Sequence, residues 1–203
     1  MTTHVEWISV GGSVDAWTGL GFVVVDGLVP LHGTGVRIEQ DGDDGRLPGL
    51  SLSGVDEAAN DIDGVPVSVF VPTPPVLAIH PIGAIDIDHV VLVTDSLERT
   101  CGAVSDVTGA PLKRVREAGD VRQGFHRVGR LIVEVVERTG LVEGPAWLWG
   151  LVVNVDDLDA AVATLGPDLV GPARPAVQSA RSIATVRAEA GIPVALALMS
   201  RAN

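Results

Sequence analysis

The fold is decided by the stretch Ile87–Glu137, which has two informative ends. It begins Ile87-Asp88-His89-Val90-Val91-Leu92-Val93-Thr94-Asp95-Ser96-Leu97-Glu98-Arg99 and ends Gly129-Arg130-Leu131-Ile132-Val133-Glu134-Val135-Val136-Glu137. The first end is typical of a buried strand that leads into a helix, and the second of the outgoing strand of a β-hairpin. His89 and Glu134 interrupt these apolar strands. Because a buried polar group is costly unless it is satisfied, both are candidate functional residues.

The pattern of strand, helix and hairpin occurs twice. Asp95 with Glu98 predicts a helix cap, and Gly109 is typical of the helix end. A second strand from Trp149 leads to a cap predicted at Asp156 and a stop at Gly166. Further strands are predicted at 113–117, 124–128, 131–136, Val177, 183–187 and 192–198. Each half is therefore predicted to be β-α-β-β-β, and such an internal repeat constrains the fold strongly.

Residues 1–80 alternate short apolar runs with turn signals. Strands are predicted at 5–10, 22–25, 28–31, 36–39, 50–55 and 65–71, with helical turns after Ser13 and at 56–60 and a hairpin turn at Asp26-Gly27. The acidic segment 41–45 lacks the ligand spacing of a calcium loop, so a solvated hairpin tip is predicted. Pro72-Thr73-Pro74-Pro75 predicts a linker, because consecutive prolines hold the backbone extended. Two regions follow, 1–75 and 84–203.

Composition limits the possible partners. The chain has 203 residues, 46% of them apolar, and a formal net charge of −12. Phosphate backbones require an excess of Lys and Arg, so neither nucleic acid nor an anionic membrane is an expected partner. The single cysteine, Cys101, falls on the predicted buried face of a helix and excludes an internal disulfide. No signal peptide or apolar run of membrane-spanning length is found, so a cytoplasmic protein is expected.

The two modules resemble the vicinal oxygen chelate superfamily, which includes glyoxalase I, extradiol dioxygenases and bleomycin-resistance proteins. The resemblance rests on Asp-His-Val-Val-Leu-Val-x-Asp-x-Leu in the first module and Val-x-Val-Asp-Asp-Leu-Asp-Ala-Ala in the second. It implies an α+β fold in which tandem βαβββ modules form a curved-sheet cup. The N-terminal region is then either a reduced copy, the interpretation we favour, or an unrelated β-rich cap. The stretch Gln178-Ser179-Ala180-Arg181-Ser182-Ile183-Ala184 resembles a glyoxalase-like branch of this superfamily.

In metal-dependent members of the superfamily, the first and last strands of each module supply the ligands. The resemblance assigns His89 and Glu134 to these positions in the first module. Alignment of the modules puts Gly150 and Leu196 at the corresponding positions of the second, so the ligand set is incomplete. No cofactor is therefore expected, with a divalent metal on His89 and Glu134 as the alternative. His126 could replace a missing ligand only if a bulge turned it to the face of Glu134.

The remaining candidates are substrate-binding residues. Arg181 and Gln178 are expected near the cup, where a guanidinium suits an anionic substrate, and Arg127 and Phe125 accompany Glu134. His89 and Glu134 are the expected catalytic acid–base pair, although a core imidazole bonded to a backbone carbonyl is an alternative for His89.

The resemblance implies a protein that binds a small oxygenated metabolite in the cup. If it also transforms the metabolite, chemistry of the lyase, isomerase or dioxygenase type is implied. The alternatives are a non-catalytic binding protein of the bleomycin-resistance type and a scaffold with an unused cup. A homodimer is compatible with either functional reading.

Overall fold

The computed structural model describes residues 2–39, 49–71 and 77–201. The acidic segment 41–45 and the proline linker 72–75 lie outside these residues. The helices are α1 (Val14–Gly19), α2 (Leu97–Thr108) and α3 (Leu158–Leu165). The strands are β1 (His4–Gly11), β2 (Leu28–Val29), β3 (Gly35–Glu39), β4 (Gly49–Ser53), β5 (Asp61–Ile62), β6 (Val65–Val69), β7 (Ala84–Thr94), β8 (Arg114–Ala118), β9 (Val121–Val128), β10 (Leu131–Arg138), β11 (Trp147–Val155), β12 (Arg174–Pro175), β13 (Ser182–Thr185) and β14 (Ala195–Ser200). A short 3-10 helix spans Ala188–Ala190.

The larger sheet contains both complete modules, in the strand order β12-β13-β14-β11-β7-β10-β9-β8. The first strands of the two modules, β7 and β11, are antiparallel neighbours at its centre. The last strand of each module, β10 or β14, lies parallel to the first strand of the same module. These pairings confirm the predicted tandem βαβββ architecture of the α+β class.

The larger sheet has one face covered by helices and one open face. Alternate strand residues such as Val90, Leu92 and Val133 join the main core together with Leu97 and Leu158 of the two helices. The residues between them point to the opposite side, because successive side chains of a strand alternate in direction. We call this opposite side the open face.

The smaller sheet repeats the pairing of the larger one in reduced form. Its order is β2-β3-β1-β4-β6-β5. Its central strands β1 and β4 are antiparallel, while β3 is parallel to β1 and β6 is parallel to β4. Only a six-residue helix, α1, accompanies these strands within the described part of the chain. This pairing is the one expected of a reduced copy of the double module, which stays the favoured interpretation of the N-terminal region.

Both predicted caps of the complete modules are wrong by one residue. Ser96 caps α2 by accepting from the Arg99 amide, whereas the Asp95 carboxylate accepts from the Arg99 guanidinium at 2.7 Å. Asp157 caps α3, because its side chain accepts from the Ala160 amide at 2.9 Å. The helix ends at Gly109 and Gly166 are confirmed, as is the cap of α1 at Ser13.

Three predicted elements differ from the structure. Residues 22–25 form no strand beyond one bridge from Val25 to Leu28, because Asp26-Gly27 turns the chain with φ of 52° and 75°. Residues 56–60 form a turn closed by the Ala59 amide on Asp56 O at 3.0 Å, not a helix. Val177 lies in an exposed turn after β12 and not in a strand. No helix in the described part of the chain has the length and apolar character to cross a membrane.

Candidate functional site

The register of β7 and β10 brings His89 and Glu134 together on the open face. His89 pairs with Ile132 and Val91 pairs with Glu134, so the two polar residues lie diagonally across neighbouring strands. Their side chains meet with His89 Nε2 at 3.6 Å from Glu134 Oε2. They are 12% and 13% exposed, so a bound molecule can reach both. The two predicted catalytic residues therefore adjoin, which is the geometric condition for an acid–base pair.

A β-bulge adds Asp88 to this site. Val152 of β11 pairs with His89 and Val153 pairs with Ile87, which leaves Asp88 without a partner in the ladder. A bulge of this kind turns two successive side chains to one side of the sheet. Asp88 Oδ2 consequently lies 2.8 Å from His89 Nδ1 although the residues are adjacent in sequence. Ile87 keeps its place in the core on the helix side.

The contact with Asp88 determines which His89 nitrogen is available. A carboxylate only accepts hydrogen bonds, so His89 donates from Nδ1. In the neutral imidazole the lone pair is then on Nε2, the nitrogen that faces Glu134. A base whose second nitrogen is fixed by a carboxylate is the arrangement used for proton transfer in many enzymes. The alternative of a core imidazole bonded to a backbone carbonyl does not describe His89.

Asp88 is itself held by side chains of the second module. Arg181 Nη1 donates to Asp88 Oδ1 at 2.7 Å, and Arg181 also donates to Asn154 Oδ1 and, at 2.7 Å from Nε, to Ser200 O. Asn154 Nδ2 donates to Asp86 Oδ1 at 2.7 Å. Burial raises the pKa of Asp88, but the hydrogen bonds from His89 and Arg181 outweigh it and hold the pKa at about 2. Asp88 is therefore ionised wherever the protein is folded near neutral pH.

Glu134 is oriented by Gln123 of β9. Gln123 Nε2 donates to Glu134 Oε1 at 2.5 Å, while Gln123 Oε1 is buried without a hydrogen-bond partner. Phe125 pairs directly with Glu134, so His126 lies on the opposite face. There His126 Nδ1 bonds Ala110 O at 3.0 Å, and burial lowers the pKa of the ring. His126 is a core residue under α2 and cannot complete a set with Glu134.

The second module offers no counterpart to these side chains. His89 pairs with Ile132, which lies two residues before Glu134, and its counterpart Gly150 pairs with Ala195. The position that corresponds to Glu134 is therefore two residues after Ala195, at Ala197. The predicted counterpart Leu196 is wrong by one residue, and its side chain lies in the core on the helix face. At Gly150 an added Cβ would lie 2.4 Å from Ala195 O, so the backbone itself leaves no room for a ligand.

The donor set does not fit a resident divalent metal. His89 and Glu134 are two donors, whereas catalytic sites usually supply at least three from the protein. No group of three His, Cys, Asp or Glu residues with metal-binding geometry exists among the residues that the structure describes.

The predicted substrate-binding residues are separated by the structure. The Arg181 guanidinium is used inside the protein by Asp88 and Asn154, so it positions side chains instead of facing a ligand. Gln178 lies on an exposed turn and contributes its backbone carbonyl to Arg181 N at 3.3 Å. Phe125 and Arg127 of β9 are on the open face beside Glu134 and Ile132. Arg127 also borders a cavity of about 100 Å³ that adjoins Asp88 and Asn154.

Apolar clusters flank the polar centre of the open face. On one side Val91, Val93 and Val136 pack with Trp147. On the other side Val152, Ala197 and Met199 pack with Ile183. A polar pair between apolar surfaces is typical of sites for small organic molecules.

Sequence reasoning missed Asp88, Asn154 and Gln123 as parts of the site. No local signal marked Asp88. It precedes the unbroken apolar run Val90 to Val93, in which both faces are apolar, so the sequence defines no phase that could reveal a bulge. Asn154 and Gln123 carry no signal either, because their roles depend on register across strands.

Comparison with known proteins identifies the fold. No protein-family model and no curated protein sequence matches the chain. Among solved structures, a triple mutant of 4-hydroxymandelate synthase from Streptomyces coelicolor superposes with a TM-score of 0.66 at 13% identity, covering 98% of this chain and 93% of that one. Methylmalonyl-CoA epimerase from Mycobacterium tuberculosis gives a TM-score of 0.51 at 17% identity, covering 63% of this chain and 94% of that one.

Both enzymes belong to the vicinal oxygen chelate superfamily. The chain therefore has the fold of this superfamily, which confirms the fold that the sequence resemblance implied.

Proposed function

We propose that the protein is an acid–base enzyme that acts on a small oxygenated metabolite at the open face, with His89 and Glu134 as its catalytic residues. One observation carries the proposal. His89 is fixed through Nδ1 by Asp88 at 2.8 Å, while Nε2 faces the Glu134 carboxylate at 3.6 Å. A structural histidine needs no second carboxylate beside its available nitrogen, whereas a general base gains from one.

The geometry supports transfer of a proton from a carbon next to a carbonyl group. His89 Nε2 accepts the proton, and the electron pair of the broken C–H bond moves to the carbonyl oxygen to give an enolate. The imidazolium then has Asp88 at Nδ1 and Glu134 near Nε2. Two carboxylates stabilise the positive ring while it exists. Return of the proton to the enolate completes the reaction without net change in the enzyme.

The residues of the second module keep this base in place. Arg181 fixes Asp88, and Asp88 fixes the tautomer of His89. Gln123 of β9 orients the Glu134 carboxylate by donating a hydrogen bond to it. No step depends on a metal ion, because His89 and Glu134 provide only two of the three or more protein donors that a catalytic metal usually needs.

The test is exchange of substrate hydrogen with solvent. A panel of small 2-oxo acids, 2-hydroxy ketones and their esters is incubated in D₂O with the protein, and ¹H NMR follows the loss of the C–H signal beside the carbonyl. We expect protein-dependent exchange for at least one compound, reduced about 10²- to 10⁴-fold by His89→Asn, with Glu134→Gln also impaired. His4→Asn, the same change at an exposed histidine of the smaller sheet, leaves the rate unchanged. Exchange that survives His89→Asn contradicts the proposal.

Non-catalytic binding is the second candidate, and the apolar clusters on both sides of His89 favour it. In that case compounds of the panel raise the melting temperature of the wild-type protein, but none exchanges hydrogen. An absence of exchange and of any thermal shift would point instead to a scaffold with an unused cup.

A further inference from the structure

Positive charge is concentrated in one short part of an acidic protein. Residues 113–130 contain six of the fourteen Lys and Arg residues and only two acidic residues, within a chain of net charge −12. The six are Lys113, Arg114, Arg116, Arg122, Arg127 and Arg130. They belong to β8, β9 and the loops that adjoin them, at one edge of the larger sheet.

Strand register turns three of these guanidinium groups to the open face. Residues directly opposite each other in neighbouring strands point to the same side of a sheet. Arg114 pairs with Phe125, which pairs with Glu134, and Arg127 pairs with Ile132, which pairs with His89.

The side chain of Arg116 also points to the open face. It pairs with Gln123, and Gln123 pairs with Val136 of the open face. We call Arg114, Arg116 and Arg127, together with Phe125, the basic wall.

The three arginines of the basic wall lack a neutralising carboxylate within the described part of the chain. Among the described residues, none of them forms an ion pair with a carboxylate, whereas neighbouring Arg122 is held by both Glu98 and Glu137. Arg114 instead lies over the Phe125 ring, with its Cζ 4.8 Å from the ring centroid. Arg127 donates to the carbonyl of Arg130 at 3.0 Å. Like charges side by side on a sheet are destabilising, so an anion that binds between them is favoured.

We propose that the basic wall binds an anionic group, a carboxylate or a phosphate, of the substrate whose reacting carbon lies at His89. This inference rests on the proposed function and names its substrate class. Phe125 offers a flat apolar surface for the part of the substrate between its reacting carbon and its anionic group. Arg114 over the ring adds a cation next to this surface. In the strand order β7-β10-β9-β8, spacings of about 4.8 Å put β9 with Arg127 about 10 Å, and β8 with Arg114 and Arg116 about 14 Å, from the strand of His89. The anionic group therefore lies roughly 10–14 Å from the reacting carbon. The substrate is thus an extended, amphipathic anion.

The probe pair that tests the basic wall is 8-anilinonaphthalene-1-sulfonate and its uncharged parent, N-phenyl-1-naphthylamine. Fluorescence titration gives the Kd of each for the wild-type protein and for Arg114→Gln/Arg116→Gln. We expect the Kd of the sulfonate to rise tenfold or more in the double variant and that of the parent to change less than twofold. Arg174→Gln/Arg187→Gln, at exposed arginines of the second module, is the matched control and leaves both values unchanged.

Three further arms make the result decisive. Arg114→Lys/Arg116→Lys retains sulfonate binding if charge is what matters, which guards against a folding defect in the Gln variant. Displacement of the sulfonate by phenyl phosphate or by phenylacetate shows which anion the wall prefers. His89→Asn binds the sulfonate within twofold of wild type, so failure of the wall and failure of the catalytic proposal are distinguishable.

Two outcomes overturn the inference. The first is equal weakening of the charged and uncharged probes, which would make the surface a merely apolar one. The second is a dimer in solution that Arg114→Gln/Arg116→Gln converts to a monomer while sulfonate affinity is unchanged, which would make the wall an interface between two copies of the chain.

Discussion

The two complete modules share one chain path but differ on their open face. In the first, β7 carries His89, β9 carries Gln123 and β10 carries Glu134. In the second, the corresponding first and last strands carry Gly150 and Ala197, and a side chain at Gly150 would meet Ala195 O at 2.4 Å. The first half therefore carries ionisable side chains at positions where the second half carries Gly150 and Ala197.

The second module nevertheless contributes to the site through its polar residues. Arg181 and Asn154 reach across the sheet to Asp88 and Asp86 of β7. The side chains of Arg181 and Asp88 are only 9% and 11% exposed, so their contact is made away from solvent. One half thus carries the proposed catalytic groups, and polar side chains of the other half hydrogen-bond to Asp88 and Asp86 beside them.

Removing Arg181 gives the largest expected effect on stability. Arg181→Met leaves the Asp88 carboxylate buried without its cation, and breaking a buried pair in this way costs about 3–5 kcal/mol. Urea unfolding measures the loss. In Arg181→Met/Asp88→Asn the charge is also removed, so part of the stability returns, and the double-mutant cycle gives the coupling. A loss below about 1 kcal/mol for Arg181→Met would show that the second module does not hold the first.

A methyl group at Gly150 tests whether the neighbouring backbone leaves room for a side chain at this position of the second half. Gly150→Ala forces the Cβ against Ala195 O and Cβ, at 2.4 and 2.7 Å, and we expect a loss of about 2–3 kcal/mol in urea unfolding. Gly102→Ala is the matched control, because Gly102 lies on the exposed side of α2 with nothing within 4 Å. It gains about 0.5–1 kcal/mol from helix propensity. Tolerance of Gly150→Ala would mean that the second half could accept a ligand side chain.

Acid should weaken the contact between the modules through Asp88. The pKa of Asp88 is lowered from 3.8 to about 2 in the folded protein, so its contribution is complete above about pH 4 and is lost as the pH falls to 2. A difference of this size corresponds to about 2 kcal/mol. The difference in unfolding free energy between wild type and Asp88→Asn, measured from pH 5 to pH 2, should shrink by that amount. A difference that is constant with pH would contradict the assigned contacts.

Metal addition is expected to have the smallest effect. With two donors in the first half and none in the second, protein purified without chelator should contain well below one equivalent of zinc, manganese, cobalt or nickel. Added metal should leave the melting temperature nearly unchanged, since only tight binding to the folded state stabilises it. Elemental analysis checks the content. A stoichiometric ion that is lost in His89→Ala would overturn the metal-independent mechanism.

The fold could be predicted further than the site. Hydrophobic periodicity and helix-end glycines such as Gly109 and Gly166 depend on local sequence, and the structure confirms them. The cap positions slipped by one residue because Asp95 and Ser96 are both good caps and only the contact of Asp95 with Arg99 separates them. Leu196 was misassigned for a related reason, since a shift of one residue along a strand exchanges its two faces.

The site depended on contacts distant in sequence. His89 and Glu134 were predicted because each interrupts an apolar strand. Arg181 was predicted to face a substrate, yet it lies 93 residues from Asp88 in sequence and binds it. No local pattern reveals such a pairing, because it depends on which strands are neighbours in the sheet and on their register.

The tautomer of His89 tests directly whether Asp88 fixes this ring for proton transfer. NMR of ¹⁵N-histidine-labelled protein, at a pH where the rings are neutral, assigns the protonated nitrogen of each ring, with His89→Asn identifying the signal. His80 is an internal reference, because its Nδ1 accepts from Val23 N at 2.9 Å and its Nε2 donates to Pro30 O at 2.8 Å. We predict the opposite tautomer for His89, with the proton on Nδ1 and none on Nε2, and a loss of this preference in Asp88→Asn. A proton on His89 Nε2 in the wild-type protein would contradict it.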